Sequence, residues 1–186
     1  MLRNSKFILF IFVIILSLIP SVFALASDTT QMQAESSSSL AQAPKLFYVA
    51  EGLRFNTIAI NTPFKMSTSE QGELITITPK GQIVISISIT RKKELAECLE
   101  EAIKQSKQAG EVINTQIANN SLMIGEEGIF PTIVEIKNNG ADISNKILGV
   151  KLKNGATMTI ILQYLKKDEE KADFIFSQIF NTLEQV

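Results

Sequence analysis

The stretch ELITITPKGQIVISISIT, residues 73–90, decides the fold of this chain. Apolar and polar side chains alternate on both sides of Pro79-Lys80-Gly81, so that every second position before and after it is an isoleucine. A period of two predicts two half-buried β-strands, and the Pro-Lys-Gly segment predicts the turn of a hairpin between them. The alternating isoleucines are Ile75, Ile77, Ile83, Ile85, Ile87 and Ile89.

The length of the turn sets the register of this hairpin. A two-residue loop would place isoleucines opposite threonines, whereas a three-residue loop, Pro79–Gly81, pairs Ile77 with Ile83 and Ile75 with Ile85. Cross-strand partners point to the same side of a sheet, so only the second register gathers the apolar side chains on one face. We therefore predict an antiparallel hairpin with one apolar face and positive φ at Gly81.

A second hairpin is predicted over residues 146–164, around Asn154-Gly155. The dipeptide favours a two-residue turn, but that turn would set Leu152 opposite Thr157. A three-residue loop pairs apolar with apolar residues, and we favour it because each buried aliphatic side chain contributes roughly 1.5–3 kcal/mol. The predicted pairs are Val150 with Met158 and Leu148 with Ile160.

Two amphipathic helices are predicted, Arg91–Ala109 and Asp168–Gln185. Gly110 ends the first, and Asp168 is the expected N-cap of the second, followed by acidic residues in its first turn. Each helix has one apolar stripe. The stripes are Leu95, Cys98, Leu99, Ala102 and Ile103 in the first, and Ala172, Ile175, Phe176, Ile179, Phe180 and Leu183 in the second.

The predicted element order is β-β-β-α-β-β-β-β-β-α, with a first strand at Leu53–Asn61 and weaker strands between Val112 and Lys137. Strands and helices each offer one apolar face. This predicts an α+β domain, with a single, mainly antiparallel, twisted sheet of about six to seven strands and two main helices packed on it.

The same order resembles the PsbP-like superfamily over about Leu46–Leu183. The resemblance rests on the order of elements: a strand closed by Pro63, a hairpin, one amphipathic helix, further strands with a late hairpin at Gly155, and a closing helix. That superfamily is an α/β/α sandwich shared by an extrinsic photosystem II subunit, a nuclear-import accessory protein that binds Ran, and small exported bacterial proteins. The resemblance implies binding or assembly rather than catalysis. Many members carry a Trp shortly after the first proline, where this chain has Phe64-Lys65-Met66.

The N-terminus reads as a secretory signal peptide, residues 1–26. Arg3 and Lys6 precede an apolar run that Pro20 closes, and small residues then allow cleavage after Ala26, or alternatively after Ala24. An uncleaved anchor is the other interpretation, because the uncharged span approaches the ~20 residues that a bilayer helix needs. Residues 27–44, rich in Ser and Gln, predict a disordered linker, and 45–186 a single domain.

Composition argues against most chemistry. The chain has no His, no Trp and one Cys, and its formal net charge is −1, which becomes −3 when the signal and its two basic residues are removed. Absence of His removes the usual nucleophile pairs and His-ligated zinc. A weakly acidic chain without a basic stripe is an unlikely partner for nucleic acid. We predict no catalysis, no cofactor, no metal site and no stable membrane span after signal cleavage.

Few residues remain as candidates for a site. Glu126 and Glu127, in a Gly-flanked loop, are the candidate contacts to a protein partner. Cys98 lies on a helix stripe and is interpreted as a core residue. Ser144 and Lys146 are close in sequence and could in principle form a Ser-Lys dyad, but the sequence around them does not resemble a nucleophile elbow.

These observations predict an exported, non-catalytic protein-binding or assembly module of the cell envelope, periplasmic or secreted, with an envelope or secreted protein as its partner. The alternative is a carrier of a small apolar ligand in the periplasm, held between sheet and helix. A carrier needs unfilled space in its core, whereas this chain has many Ile, Leu and Phe side chains to fill it.

Overall fold

A computed structural model gives the structure of the unit Pro44–Val186. The predicted signal peptide (1–26), the linker (27–44) and the loop Pro79–Gly81, with the φ expected of Gly81, lie outside the described residues. The structure describes residues 46–48, 53–56, 64–69, 72–77 and 83–185.

Twelve strands and two α-helices make up the described part of the chain. In chain order they are β1 (Leu46–Tyr48), β2 (Leu53–Asn56), β3 (Phe64–Ser69), β4 (Gly72–Ile77), β5 (Ile83–Thr90), α1 (Leu95–Gln108), β6 (Glu111–Ile117), β7 (Leu122–Ile124), β8 (Glu127–Ile129), β9 (Thr132–Asn138), β10 (Ala141–Lys151), β11 (Thr157–Leu165), α2 (Glu169–Phe180) and β12 (Glu184–Gln185). Seven strands form the main sheet in the order β3-β4-β5-β11-β10-β9-β6, and all neighbours are antiparallel. Strands β1, β2 and β12 form a second small sheet, and β7 pairs with β8.

Both predicted registers are confirmed. The three-residue loop of the second hairpin is closed by a hydrogen bond of 2.8 Å from the Leu152 N–H to the Ala156 carbonyl. Gly155 has φ +82° there, a conformation that favours glycine. The observed pairs are Ile77 with Ile83, Ile75 with Ile85, Val150 with Met158 and Leu148 with Ile160.

The two helices cover opposite faces of the main sheet. The isoleucine face of β5 packs in one core with α2, in which the rings of Phe176 and Phe180 stack with centroids 4.2 Å apart. The other face carries Gly149, where an added Cβ would lie 2.5 Å from Cδ1 of Leu95 on α1. Since successive strand residues point to opposite faces, the sheet lies between the two helices, which is the α/β/α sandwich that the resemblance implies.

Three strands and one helix end differ from the prediction. Strands β1, β3 and β8 were not predicted, because β3 is rich in Ser and Thr and the other two have three residues each. The second helix was predicted to reach Gln185 but ends at Phe180, since Glu184 and Gln185 pair with β2 instead. Of the predicted first strand, residues 57–61 lie outside the described residues.

Helix α1 starts later than the predicted Arg91, whereas the N-cap of α2 is Asp168, as the sequence predicts. Helix α1 begins at Leu95, where Glu94 and Glu97 form a capping box that satisfies backbone N–H groups. A 3₁₀ turn, Lys166–Asp168, precedes α2, and Asp168 occupies the N-cap position without a side-chain capping bond. The acidic residues of the first turn still lie at the positive end of the helix.

Candidate functional site

Among the strand residues whose burial is described, the most exposed apolar side chains lie along β6, which forms one edge of the main sheet. Val112, Ile113 and Ile117 are 44%, 53% and 69% exposed. Among the described residues, β6 pairs only with β9, and a bulge between Val112 and Asn114 leaves Ile113 without a cross-strand partner. The outer side of an edge strand offers unpaired backbone donors and acceptors, which a further extended segment can pair with.

A hairpin made of β7 and β8 projects from the end of this edge. A hydrogen bond of 2.8 Å from the Ala118 N–H to the Pro131 carbonyl closes its base. Its inner face is buried with α2 through Leu122 and Ile124. Two apolar side chains of this segment, Met123 and Phe130, are exposed, so apolar surface continues past the end of β6.

Glu126 and Glu127 lie at the tip of the hairpin, and both are exposed. Gly125 precedes them with φ +58°, and its N–H donates to the Phe180 carbonyl at 3.2 Å, at the C-terminal end of α2. The last turn of α2 has no basic residue. Since a helix C-terminus carries partial negative charge, the acidic tip lies where negative charge is unfavourable.

Neither glutamate has an ion-pair partner among the described residues. We call the large apolar side chains exposed on β6 and along this hairpin segment, together with the two glutamates at the tip, the edge–hairpin surface. It consists of Val112, Ile113, Ile117, Met123, Glu126, Glu127 and Phe130.

Lys146 is the centre of a buried polar cluster between the sheet and α2. Its side chain is 6% exposed, and its Nζ lies 2.7 Å from Oδ2 of Asp173 and 2.9 Å from Oε1 of Glu169. It also lies 5.6 Å from the centroid of the Tyr164 ring. Burial lowers the pKa of Lys146, but hydrogen bonds to the two carboxylates outweigh it, so that the net direction is upward.

Tyr164 and Ser144 complete the cluster. The Tyr164 hydroxyl donates to Glu169 Oε1 at 3.3 Å, and burial raises the pKa of Tyr164 to about 12, although a hydrogen bond with Ser144 opposes this. A Ser-Lys dyad requires a neutral lysine as its base. Because the raised pKa of Lys146 keeps the amine protonated, the Ser144–Lys146 pair does not suit base catalysis, and Lys146 instead joins α2 to the sheet.

Cys98 lies on the buried stripe of α1, as the sequence predicts, and hydrogen-bonds Thr159. Burial raises the pKa of its thiol, which disfavours the reactive thiolate. Among the described residues, no group of three His, Cys, Asp or Glu side chains has the geometry to hold a metal ion. Neither of the helices described is both long and apolar enough to cross a bilayer.

Sequence reasoning placed Glu126 and Glu127 in an exposed loop but missed the apolar edge beside them. It predicted a strand near Val112–Ala118, yet the pattern of a strand does not tell whether it ends a sheet. One signal was present: the aliphatic residues at 112, 113 and 117 do not fall on alternate positions, so they cannot all enter one core face.

No family model matches this chain, and no curated protein matches it. Several solved structures do. A cyanobacterial PsbP (CyanoP) from Synechocystis sp. PCC 6803 is 10% identical, with a TM-score of 0.46 over 82% of this chain and 99% of its own. A Bacteroides thetaiotaomicron VPI-5482 protein is 13% identical, with a TM-score of 0.45 over 73% of this chain and 45% of its own.

LpqN of Mycobacterium tuberculosis, involved in cell envelope biogenesis, is 12% identical, with a TM-score of 0.38 over 66% of this chain and 83% of its own. At TM-scores and identities this low, the matches say nothing about function or partner.

Proposed function

We propose that this protein is an exported, non-catalytic protein-binding module that takes an extended segment of an envelope or secreted protein onto its edge–hairpin surface. The observation that carries the proposal is the open edge of β6 with Val112, Ile113 and Ile117 exposed along it. An added strand pairs its backbone with such an edge, and its alternate side chains cover the exposed aliphatic groups.

The bulge determines where the added strand pairs. Ile113 interrupts the ladder to β9, so Asn114–Ile117 is the regular part of the edge. Bulges weaken uncontrolled edge-to-edge pairing. A short regular edge therefore favours a partner of about four to six residues in extended form over unlimited association.

The negative charge at the hairpin tip indicates a second feature of the partner, a basic residue. Glu126, Glu127 and the C-terminal end of α2 are all negative and close together. A Lys or Arg in the partner, next to its apolar residues, would relieve this repulsion on binding. The proposed partner segment is thus extended, apolar on one side and basic at one end.

Export is part of the proposal and is supported by the basic start, apolar run and small residues of positions 1–26. The intact mass of the protein isolated from its host tests it. A mature chain that begins at Ser27, or at Leu25, supports export with cleavage. A mass that includes Met1 and the apolar run contradicts cleavage and supports the uncleaved anchor instead.

The packing of the core favours the module over the carrier. Between the sheet and α2, the large side chains of Met158, Tyr164, Phe176 and Phe180 are fully buried and belong to one hydrophobic core, which supports a core filled by the protein's own side chains. Catalysis finds no support at the Ser144–Lys146 pair, because Lys146 is held as a cation.

Site-specific photo-crosslinking in the protein's own host tests the module. A photoreactive residue at Gln116, exposed on β6, is compared with one at Glu100, exposed on α1. We expect Gln116 to capture one exported protein that Glu100 does not capture, and expect Ile117→Asp or the double change Glu126→Lys, Glu127→Lys to abolish the adduct. A peptide spanning the crosslinked segment should then bind the purified protein.

Equal adducts from both positions, or no adduct at Gln116, would overturn the proposed surface. Circular dichroism and thermal unfolding of each variant serve as the control, since a variant that loses the adduct must keep its fold.

A further inference from the structure

The strand registers assign the paired side chains of β6 to one face or the other of the main sheet. Cross-strand partners point to the same side, so a face can be followed from strand to strand. On β10, Leu148 packs in the core with α2, whereas Gly149 lies against Leu95 of α1. Even-numbered residues of β10 therefore face the side of α2, and odd-numbered residues face the side of α1.

Strand β9 carries this assignment to the edge. Val134 pairs with Asn145 of β10 and with Thr115 of β6, so Thr115 points to the α1 side. The same registers place the other paired residues of β6, with Val112 and Ile117 on the α1 side and Glu111, Asn114 and Gln116 on the α2 side.

The bulge in β6 brings two exposed aliphatic side chains onto one side. Val112 and Ile117 are an odd number of positions apart, so in a regular strand they would point to opposite faces. The bulge between Val112 and Asn114 shifts the register, and both side chains, 44% and 69% exposed, point to the α1 side. Thr115, also exposed, lies between them. The α1 side of the edge is therefore an apolar stripe with one hydroxyl in its middle.

The α2 side of the same edge is polar and becomes negative towards one end. At the start of β6, Glu111 pairs in register with Lys137, so charges of opposite sign lie together. Beyond Ile117, the hairpin packs against α2 and carries Glu126 and Glu127 at its tip. Apolar side chains of an added strand therefore fit one side of β6, and polar or basic side chains fit the other.

We infer that β6 selects its partner segment by face, an inference that rests on the proposed function. Alternate residues of the added strand are apolar and lie on the α1 side, against Val112, Thr115 and Ile117. The residues between them are polar and lie on the α2 side. The basic residue belongs to this polar set, at the end of the added strand that lies beyond Ile117. Thr115 contacts the apolar set, and its neighbour Gln116 contacts the polar set.

Two peptides of the same composition test this pattern: Lys-Ile-Gln-Val-Thr and its reverse, each with a fluorescent label. Whichever way the added strand runs, one of the two places its lysine beyond Ile117. Fluorescence anisotropy with the protein isolated from its host measures both affinities. We expect one peptide to bind about threefold more tightly, because its charge lies nearer the acidic tip, and expect high salt to remove the difference.

Substitutions at two adjacent positions separate the faces. Thr115→Asp puts a carboxylate among apolar side chains and should weaken binding of the tighter peptide about tenfold. Gln116→Asp puts the same carboxylate on the polar side and should leave binding unchanged or tighten it. Thr115→Val, which removes the hydroxyl from the stripe, should tighten it. Circular dichroism and urea unfolding verify that each variant keeps its fold.

Equal losses for Thr115→Asp and Gln116→Asp would overturn the inference, as would equal affinities of the two peptides at low salt. A peptide affinity that falls as the protein concentration rises would show that a second copy of the chain covers β6, and would overturn it too.

Failure of this inference can be told apart from failure of the proposed function. If the photoreactive residue at Gln116 captures an exported protein whose segment binds, while neither peptide binds, only the selection by face is wrong. If neither peptide binds and Gln116 captures nothing, both are wrong.

Discussion

Lys146 of β10 and Asp173 of α2 are joined across the interface of sheet and helix, with Nζ 2.7 Å from Oδ2. The cation is buried, whereas the carboxylate is partly open to water, so the pair lies at the rim of the apolar core. Glu169, one helical turn earlier, is the second acceptor at 2.9 Å. This cluster fixes the start of α2 against the sheet.

Asp173→Asn should destabilise the protein by about 2 kcal/mol, because a buried ammonium loses one of its two carboxylates. The expected loss in the free energy of unfolding is smaller than for a fully buried ion pair, since Glu169 remains as a partner of Lys146 and water reaches the site. Urea unfolding followed by circular dichroism measures it. Glu170→Gln, at an exposed position of the same helical turn, is the control and should cost well under half as much; equal losses would show that the pair has no special role.

Lys146→Met should cost less than Asp173→Asn, although it removes the same ion pair. A methionine of similar length fills the space and leaves no buried cation, and the two carboxylates can turn to water. The comparison uses the same urea experiment. A larger loss for Lys146→Met would show that the ion pair itself outweighs the cost of burying the charge.

Stability should fall in acid. The hydrogen bond from Lys146 holds the pKa of Glu169 below its ordinary value of 4.5, so the folded state binds this proton less readily than the unfolded chain. The stabilisation is therefore complete above pH 4.5 and is lost as the pH falls through the lowered pKa. Urea midpoints at a series of pH values measure this, and Glu169→Gln should flatten the acid limb; an unchanged limb would contradict the assignment.

Alkaline pH should also destabilise the fold. The pKa of Tyr164 is raised from 10.0 to about 12 by burial, so the unfolded chain loses this proton first. Stability is complete below pH 10 and declines as the pH rises towards 12. Tyr164→Phe should weaken this decline in stability. The decline is measured by unfolding at a series of alkaline pH values, with tyrosinate absorbance as the signal for ionisation. Lys146, whose pKa is also raised, should leave a residual decline in that variant.

Glu126→Gln should stabilise the isolated protein by about 0.5 kcal/mol, because it removes negative charge beside the C-terminal end of α2. The same change should weaken capture of the proposed partner. Thermal unfolding at low salt tests the first part, and Glu170→Gln, at the opposite end of the helix, should shift the midpoint the other way. A loss of stability in Glu126→Gln would contradict the electrostatic account of the hairpin tip.

Gly110→Ala should cost about 1–3 kcal/mol, because its Cβ would lie 2.6 Å from the Lys137 carbonyl oxygen, which belongs to the backbone of β9. Gly149→Ala should cost less, since its nearest neighbour is the mobile end of the Leu95 side chain. Urea unfolding ranks the two. The reverse order would mean that the backbone of β9 shifts at a lower cost in free energy than the Leu95 side chain of α1.

The sequence by itself determined the two hairpins, their registers and the apolar faces of the helices. Alternation at Ile75, Ile77, Ile83 and Ile85 has only one register that places all four on the same face of the hairpin, so local pattern and turn length suffice. That helices pack on the sheet followed from the same reasoning, because each element offers a face that needs cover, whereas the α/β/α arrangement was implied by the resemblance to the PsbP-like superfamily. The exposure of Glu126 and Glu127 was also readable from their Gly-flanked loop.

Tertiary structure alone decided the rest. Lys146 and Asp173 are separated by 27 positions, and no local pattern pairs them. Residues 184 and 185 continue a helical pattern but leave it to pair with β2, because a strand partner satisfies their backbone groups. Likewise, β6 is an exposed edge, and Asn145 and Gln163 lie on the sheet face that α1 covers. Strand order and helix placement depend on packing of the whole chain, and the hydrophobic period of a single strand does not encode them.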